Sequence, residues 1–209
     1  MSLKIGLPKG RMLEDAVNIL KKCGLDFSSA LSKSRKLRFF IPSKDVEAII
    51  IRNVDLLTYV EYGAVDIGII GYDLVMEQKR DVITALDLNF GRCRLSVAGV
   101  KGNEVMRRAD LSGIKVATKY PDITSEYFKK RGFQVEVIKL YGAIELAPLF
   151  GLSDLIVDLV STGETLKTNG LEELEVIMHS SARLVINKAS MRTKQEHIDK
   201  IISQLRKVI

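Results

Sequence analysis

The stretch that decides the fold runs from Glu145 to Leu166 and reads ELAPLFGLSDLIVDLVSTGETL. Its middle part, Ser153 to Val160, is rich in Leu, Ile and Val. A run of this kind is typical of a central strand in a sheet that helices cover on both faces. We therefore predict a helix, then a buried strand, then a polar turn that opens a second helix.

The turn after this strand has the composition of a phosphate-binding loop. It reads Ser161-Thr162-Gly163-Glu164-Thr165 and follows Asp158 closely. Hydroxyls and backbone N–H groups collect at a helix N-terminus, where an anion is favoured, and Gly163 lets a phosphate approach the backbone. An ordinary connection with Thr162 as N-cap explains the turn alone about equally well. Asp158 favours a ribose phosphate, because its carboxylate can accept hydrogen bonds from sugar hydroxyls.

The composition is that of an ordinary globular protein with room for one large or two small domains. The 209 residues are 46% hydrophobic and 28% charged, and the net charge is +6. This charge suits anionic small molecules, while dispersed basic residues without interleaved aromatics make nucleic acid a minor alternative. No apolar run approaches the length of a membrane span. We expect neither nucleic acid nor membrane as a partner.

The cysteines and histidines give no sign of a disulfide framework or a zinc site. Cys23 and Cys93 stand far apart, without a C-x-x-C motif, and we expect no signal peptide. This pattern is typical of reduced thiols in a cytoplasmic protein. His179 and His197 are remote from both cysteines, so spacing predicts no zinc ligands.

Basic residues follow two other predicted strands. Lys9 and Arg11 come after a strand over 3–7, and Arg52 comes after a strand over 46–51. Open α/β sheets bind ligands at the carboxyl ends of their strands. We therefore predict a phosphate or pyrophosphate role for these three cations, with solvated loop charges as the simpler alternative. The sequence has no Walker motif.

The whole pattern alternates strands and helices, which predicts an α/β fold with mainly parallel sheets. Two lobes account for all the elements, with the chain crossing between them near 90–95 and again near 180–186. We place lobe I at 1–91 plus 184–209 and lobe II, which carries the phosphate loop, at 92–183. We also expect a helix over 142–150, a strand near 175–178 and one final helix over 190–207.

The opening stretch resembles the signature of the ATP phosphoribosyltransferase family. Other similar blocks lie at 8–11, 52–55, 66–71 and 117–121. The chain is similar to the short, catalytic form of the family, which lacks a regulatory domain. The signature positions are met here by Glu145, Gly151, Ser153, Ile156, Asp158, Thr162, Gly163, Thr165 and Leu166.

The resemblance implies the two-lobed fold of periplasmic binding proteins (type II) and a defined reaction. The family joins N1 of ATP to C1 of phosphoribosyl pyrophosphate, releases pyrophosphate and requires Mg²⁺, as the first step of histidine biosynthesis. It also implies a homodimer that assembles with a regulatory subunit similar to histidyl-tRNA synthetase into a hetero-octamer. We expect no metal ligands from the protein, because Mg²⁺ would be carried by the pyrophosphate.

The resemblance also assigns the site residues. Arg52 and Arg35 align with the arginines that stabilise the leaving group, and Lys36 and Arg38 stay open as alternatives to Arg35. Lys9 and Arg11 are further candidates for the same catalytic, pyrophosphate-facing group. The residues expected to bind phosphoribosyl pyrophosphate are Asp158, Ser161, Thr162, Gly163, Glu164 and Thr165.

Two other classes of protein share parts of this pattern. Type I phosphoribosyltransferases also follow a buried strand with a T-G-x-T loop, but they usually place two adjacent acids at the strand end. Here Asp158 stands alone between Val157 and Leu159. A solute-binding protein shares the two-lobed fold but is normally exported behind a signal peptide. The transferase is the better interpretation.

Overall fold

The computed structural model describes residues 2–32, 35–102, 104–107 and 111–209. The chain forms two compact units, Met1–Gly91 with Ser181–Ile209, and Arg92–Ser180. It passes from the first unit to the second at 91–92 and returns at 180–181. Both units combine a sheet with helices, so the predicted α/β class is confirmed.

The strands and helices are numbered in chain order. The strands are β1 Leu3–Pro8, β2 Arg38–Ile41, β3 Val46–Ile51, β4 Ile67–Gly71, β5 Ile83–Asp87, β6 Cys93–Val100, β7 Lys115–Thr118, β8 Glu136–Lys139, β9 Leu155–Val160, β10 Leu171–Ser180 and β11 Ala182–Ile186. The helices are α1 Leu13–Lys22, α2 Asn53–Glu61, α3 Tyr72–Gln78, α4 Pro121–Lys130, α5 Leu146–Leu149, α6 Glu164–Thr168, α7 Lys188–Thr193 and α8 Gln195–Arg206.

The first unit is built on a sheet of strand order β2-β3-β1-β4-β11-β5. Strand β1 runs parallel to both of its neighbours, whereas β2 and β11 run antiparallel to theirs. The side chains of Ile5, Ile67 and Leu184 are fully buried in its core. Helix α2 packs closely on β4 because Gly68 has no side chain. A Cβ at Gly68 would lie only 2.5 Å from a methyl carbon of Leu56.

The second unit is built on a sheet of order β10-β6-β9-β7-β8. Strand β9 therefore lies at the centre, as its apolar sequence predicts, and Leu155, Ile156 and Val157 are fully buried. It pairs in parallel with β7 and antiparallel with β6. The loop after β9 therefore follows a strand that has neighbours on both sides, and not an edge strand.

Both sheets are mixed, although most strands in each share one direction. The exceptions among the described strands are β2, which forms a hairpin with β3, and the two strands that follow the crossings, β6 and β11. β11 lies between β4 and β5, and β6 lies between β9 and β10. A helix joins each of these flanking pairs, as parallel strands require. The two units thus repeat one arrangement, which the sequence pattern alone does not reveal.

Three predicted elements differ from those that form. The helix expected over 142–150 is reduced to α5, because Ala143 adopts a left-handed φ of 48° just before it. The strand expected near 175–178 extends through all of β10, where two irregularities in its pairing with β6 hide the usual alternation. The final helix is divided into α7 and α8 at Lys194.

A buried carboxylate explains the break at Lys194. Asp66, 3% exposed, accepts hydrogen bonds from the Lys194 ammonium at 2.7 Å, the Ser190 hydroxyl at 2.6 Å and the Lys4 N–H at 2.8 Å. The ammonium also donates to the carbonyl of Ser2 at 2.9 Å. These contacts hold the C-terminal helices against the strands that open the first unit.

Candidate active site

Lys9 and Arg52 are neighbours at one edge of the sheet in the first unit. Pro8 lies opposite Ile51 where β1 and β3 end, and the Lys9 N–H donates to the Ile51 carbonyl at 2.8 Å. Both side chains are exposed. Their proximity follows from the parallel pairing, which brings the two carboxyl ends together.

Arg11 and Arg35 belong to the same edge. Arg11 lies in the turn between β1 and α1, where Gly10 has a φ of 103°. Arg35 precedes β2, and β2 begins where β3 ends because the two strands are antiparallel. The Ile50 N–H donates to the carbonyl of Leu37 at 2.8 Å, which extends this pairing toward Arg35. All four predicted cations therefore stand along one edge.

Lys36 and Arg38, the alternatives to Arg35, are engaged in local structure. The Arg38 guanidinium pairs with the carboxylate of Glu47 at 2.6 Å, and Glu47 is only 7% exposed. Hydrogen bonding to Arg38 lowers the pKa of the Glu47 carboxyl below its ordinary value. The Lys36 ammonium lies 5.5 Å from the centre of the Phe39 ring. These contacts favour Arg35 as the residue available to an anion.

The loop from Ser161 to Thr165 follows β9 in the second unit and includes the first two residues of α6. Gly163 has a φ of 82° and occupies the N-cap position of α6, so the alternative with Thr162 as N-cap is wrong. The Thr162 hydroxyl accepts the Glu164 N–H at 3.4 Å, a long contact. Helix α6 has only five residues, too few for its dipole to dominate. An anion here would depend mainly on the loop N–H groups and hydroxyls.

Asp158 lies inside β9, two residues before the strand ends. It stands opposite Ser96 of β6 and is partly buried. One of its carboxylate oxygens accepts the N–H of Leu159 at 2.8 Å. This local bond orients the carboxylate two residues before the loop.

An ion pair next to the loop escaped the sequence analysis. The Arg94 guanidinium of β6 donates two hydrogen bonds of 2.5 Å to the two carboxylate oxygens of Glu173 in β10. A third N–H donates to the carbonyl of Ser161 at 3.2 Å. The Ser96 hydroxyl also donates to Glu173, at 2.7 Å. Polar residues at alternate positions 94 and 96 of a buried strand were the signal that could have revealed it.

The pair shifts the acid–base properties of both partners. Hydrogen bonding to Arg94 is the main cause that lowers the pKa of the Glu173 carboxyl, and burial opposes it. The same bond raises the pKa of Arg94. Both groups are therefore charged at neutral pH.

In the part of the chain that the structure describes, neither a cluster of metal ligands nor a membrane-spanning helix is found. Among the described residues, no three or more His, Cys, Asp or Glu side chains cluster in a way that could hold a metal ion. Within the same residues, no helix is long and apolar enough to cross a membrane. Cys23 and Cys93 are not joined in a disulfide, and burial raises the pKa of the Cys23 thiol.

A solved structure of low sequence identity identifies the fold of this chain. A substrate-binding protein of an amino acid ABC transporter superposes with a TM-score of 0.61 over 100% of this chain and 93% of its own, at 15% identity. The predicted periplasmic-binding-protein-like fold (type II) is therefore confirmed. A profile of the ATP phosphoribosyltransferase family, HisG, matches residues 52–207.

The chain belongs to the ATP phosphoribosyltransferase family, the pentosyltransferases of the first step of histidine biosynthesis. It is 52% identical to the ATP phosphoribosyltransferase of Citrifermentans bemidjiense over 97% of this chain and 96% of that protein. It is 48% identical to the ATP phosphoribosyltransferase of Caldanaerobacter subterraneus over 99% of this chain and 97% of that protein.

A solved structure supports the same assignment. The ATP phosphoribosyl transferase (HisG:HisZ) complex from Thermotoga maritima contains a chain that superposes with a TM-score of 0.84. The identity is 35%, and the match covers 99% of this chain and 98% of that one. The predicted resemblance to the short, catalytic form of the family is thereby confirmed.

Proposed function

We propose that this chain transfers the phosphoribosyl group of phosphoribosyl pyrophosphate to N1 of ATP. In this reaction the bond from C1 to the pyrophosphate oxygen breaks, a bond from N1 to C1 forms with inversion, and pyrophosphate leaves. The observation that carries the proposal is the loop Ser161–Thr165, which follows a central strand and turns at a left-handed Gly163.

The loop and Asp158 would bind the ribose 5-phosphate part of the donor. Backbone N–H groups of the loop and the hydroxyls of Ser161, Thr162 and Thr165 would contact the phosphate. Within the described part of the chain, the hydrogen bonds of the loop leave the N–H groups of Thr162 and Gly163 unused. The Asp158 carboxylate would accept the ribose hydroxyls, and charge-assisted bonds of this kind are the stronger ones. Glu164, within the loop, would contribute its backbone N–H to the same site.

The cationic edge of the first unit would stabilise the leaving group. Negative charge develops on the pyrophosphate as the C1–O bond breaks. Arg52, Arg35, Lys9 and Arg11 lie along one sheet edge and would place positive charge there. The forked donors of arginine fit phosphate oxygens in a way that lysine does not.

The nucleophile needs no general base. Adenine N1 already carries a lone pair, so orientation and charge stabilisation can account for catalysis. Mg²⁺ keeps water and phosphate oxygens as ligands and needs few carboxylates. Among the described residues no cluster of three or more His, Cys, Asp or Glu side chains could hold a metal ion, which fits a Mg²⁺ ion carried by the pyrophosphate. When bound, the ion would neutralise part of the leaving-group charge.

We propose further that the two units correspond to the lobes I and II expected from the sequence, with the return crossing at 180–181 instead of the expected 183–184. The similarity to a chain of the HisG:HisZ complex supports a regulatory partner of the HisZ kind. A homodimer that joins this partner in a hetero-octamer is the corresponding assembly. ATP binding and a cytoplasmic location stay predictions.

Pyrophosphate release tests this function. The purified chain, alone and with a HisZ-type subunit, is mixed with ATP, phosphoribosyl pyrophosphate and Mg²⁺, and pyrophosphate is measured with a coupled assay. We expect ATP-dependent release and a phosphoribosyl-ATP product by mass spectrometry. Light scattering of the mixture reports the assembly. The absence of turnover with the partner present would refute the proposed activity.

A further inference from the structure

We infer that Arg94 is a positioning residue for the phosphate loop, which it orients by holding the carbonyl of Ser161 while Glu173 holds its guanidinium. This inference rests on the proposed function of the loop. It adds to the loop two residues from strands on which the phosphate-binding sequence does not lie, one on β6 and one on β10.

The geometry of the guanidinium carries the first step. Glu173 binds Arg94 through Nε and Nη2, so two parallel hydrogen bonds fix the plane of the group. The remaining terminal nitrogen, Nη1, reaches the Ser161 carbonyl at 3.2 Å. The side chains of Arg94 and Glu173 are 29% and 23% exposed, so solvent screens the pair only in part. The contact to Ser161 thus comes from a fixed donor rather than from a mobile surface arginine.

The planarity of the peptide carries the second step. The carbonyl of Ser161 and the N–H of Thr162 belong to one trans peptide and point in opposite directions. Arg94 holds the carbonyl on its own side, and the Thr162 N–H is therefore directed to the other side. A free carbonyl that turned toward the ligand would repel a phosphate oxygen. The hydrogen bond keeps the loop in the orientation that an anion needs.

The third argument is the negative charge of Glu173 and its neutralisation by Arg94. Ser96 lies opposite Asp158 and donates to Glu173, so Glu173 and Asp158 belong to the same face of the sheet. An unpaired Glu173 carboxylate there would repel a ribose phosphate. The charge of Arg94 compensates that of Glu173, so the pair adds no net negative charge beside Asp158. One arginine therefore both orients the loop and neutralises the adjacent acid.

A comparison of variants tests the inference. Arg94→Met removes all the donors at similar length, and Arg94→Lys keeps a charge but loses the fork. We expect both to raise the KM for phosphoribosyl pyrophosphate about tenfold, the effect of losing one hydrogen bond to a charged group. The KM for ATP should stay unchanged. Calorimetry with ribose 5-phosphate should show the same loss of affinity.

Arg131→Met is the matched control. Arg131 forms an ion pair with Glu175, also from β10, and donates to the Tyr127 hydroxyl, but it does not contact the loop. We expect this variant to lower the unfolding temperature without changing the KM for phosphoribosyl pyrophosphate. If Arg94→Met does not fold, the same comparison is decided by Arg94→Lys.

Two results would overturn the inference. The first is an unchanged KM for phosphoribosyl pyrophosphate in the folded Arg94 variants. The second is an equal rise of the KM values for phosphoribosyl pyrophosphate and ATP that Arg131→Met reproduces. This result would indicate a merely structural role for Arg94. A failure of the proposed function is distinguishable, because the wild-type chain would then release no pyrophosphate, and ribose 5-phosphate binding would still report on Arg94.

Discussion

At the scale of single residues, Gly163 combines a backbone requirement with a binding requirement. Its φ of 82° disfavours any residue with a Cβ, while among the described residues an added Cβ would meet only Val160, at 3.8 Å. The cost of a side chain in the unliganded protein is therefore conformational rather than steric, about 1–2 kcal/mol. In the liganded protein the same Cβ would also occupy space that a phosphate needs.

Gly163→Ala should therefore cost more free energy in binding phosphoribosyl pyrophosphate than in the free energy of unfolding. We expect an affinity loss of at least about tenfold by calorimetry. Gly132→Ala is the control, because Gly132 has a φ of 84°, also has an open surrounding and lies outside the loop. It should show a similar loss of stability with unchanged affinity. Equal affinities in the two variants would remove Gly163 from the phosphate site.

Arg52 is the cation whose position the strand pairing supports most directly. If it stabilises the departing pyrophosphate, Arg52→Ala should lower kcat about 100-fold and change substrate affinity much less. Steady-state kinetics with both substrates varied measures the two effects. Arg80→Ala removes a cation that pairs with Glu61 in the same unit and should leave kcat unchanged. Equal losses of kcat and affinity would point to a binding role for Arg52.

At the scale of elements, Asp66 connects β4 to the C-terminal helices. Asp66→Ala would leave the Lys194 ammonium, 16% exposed, without its carboxylate. The expected loss in the free energy of unfolding is about 3–5 kcal/mol, as for other buried pairs broken on one side. Urea unfolding, with hydrogen exchange of α8, measures it.

The control for this change is an exposed pair in the same unit. Asp81 pairs with Lys188, and both side chains are more than half exposed. Asp81→Ala should cost at most about 1 kcal/mol. Similar losses in the two variants would show that the Asp66 contacts contribute no more than an ordinary surface ion pair.

Two of the three elements that differ from their prediction share a physical cause. Helix periodicity continues through Lys194, yet the helix breaks there because Asp66, remote in sequence, binds its side chain. The full length of β10 was hidden because its irregular pairing with β6 disturbs the alternation. Local patterns report local preferences, and long-range contacts overrode them in both cases.

At the scale of the whole molecule, each unit inserts one antiparallel strand between two parallel strands that a helix joins. The inserted strands, β6 and β11, follow the two points where the chain changes unit. A strand that arrives from another unit needs no crossover helix within its new sheet, so it can enter antiparallel. The mainly parallel direction and the double crossing follow from the sequence, but the place of these two strands does not.

The sequence by itself determined the α/β class, the central position of β9 and the loop that follows it, since these depend on apolar runs and on residue types at fixed spacing. Only the tertiary structure decided which distant residues meet. Arg94 and Glu173 are 79 positions apart, and Asp66 and Lys194 are 128 apart. The order and register of strands bring such pairs together, and no local pattern encodes that order.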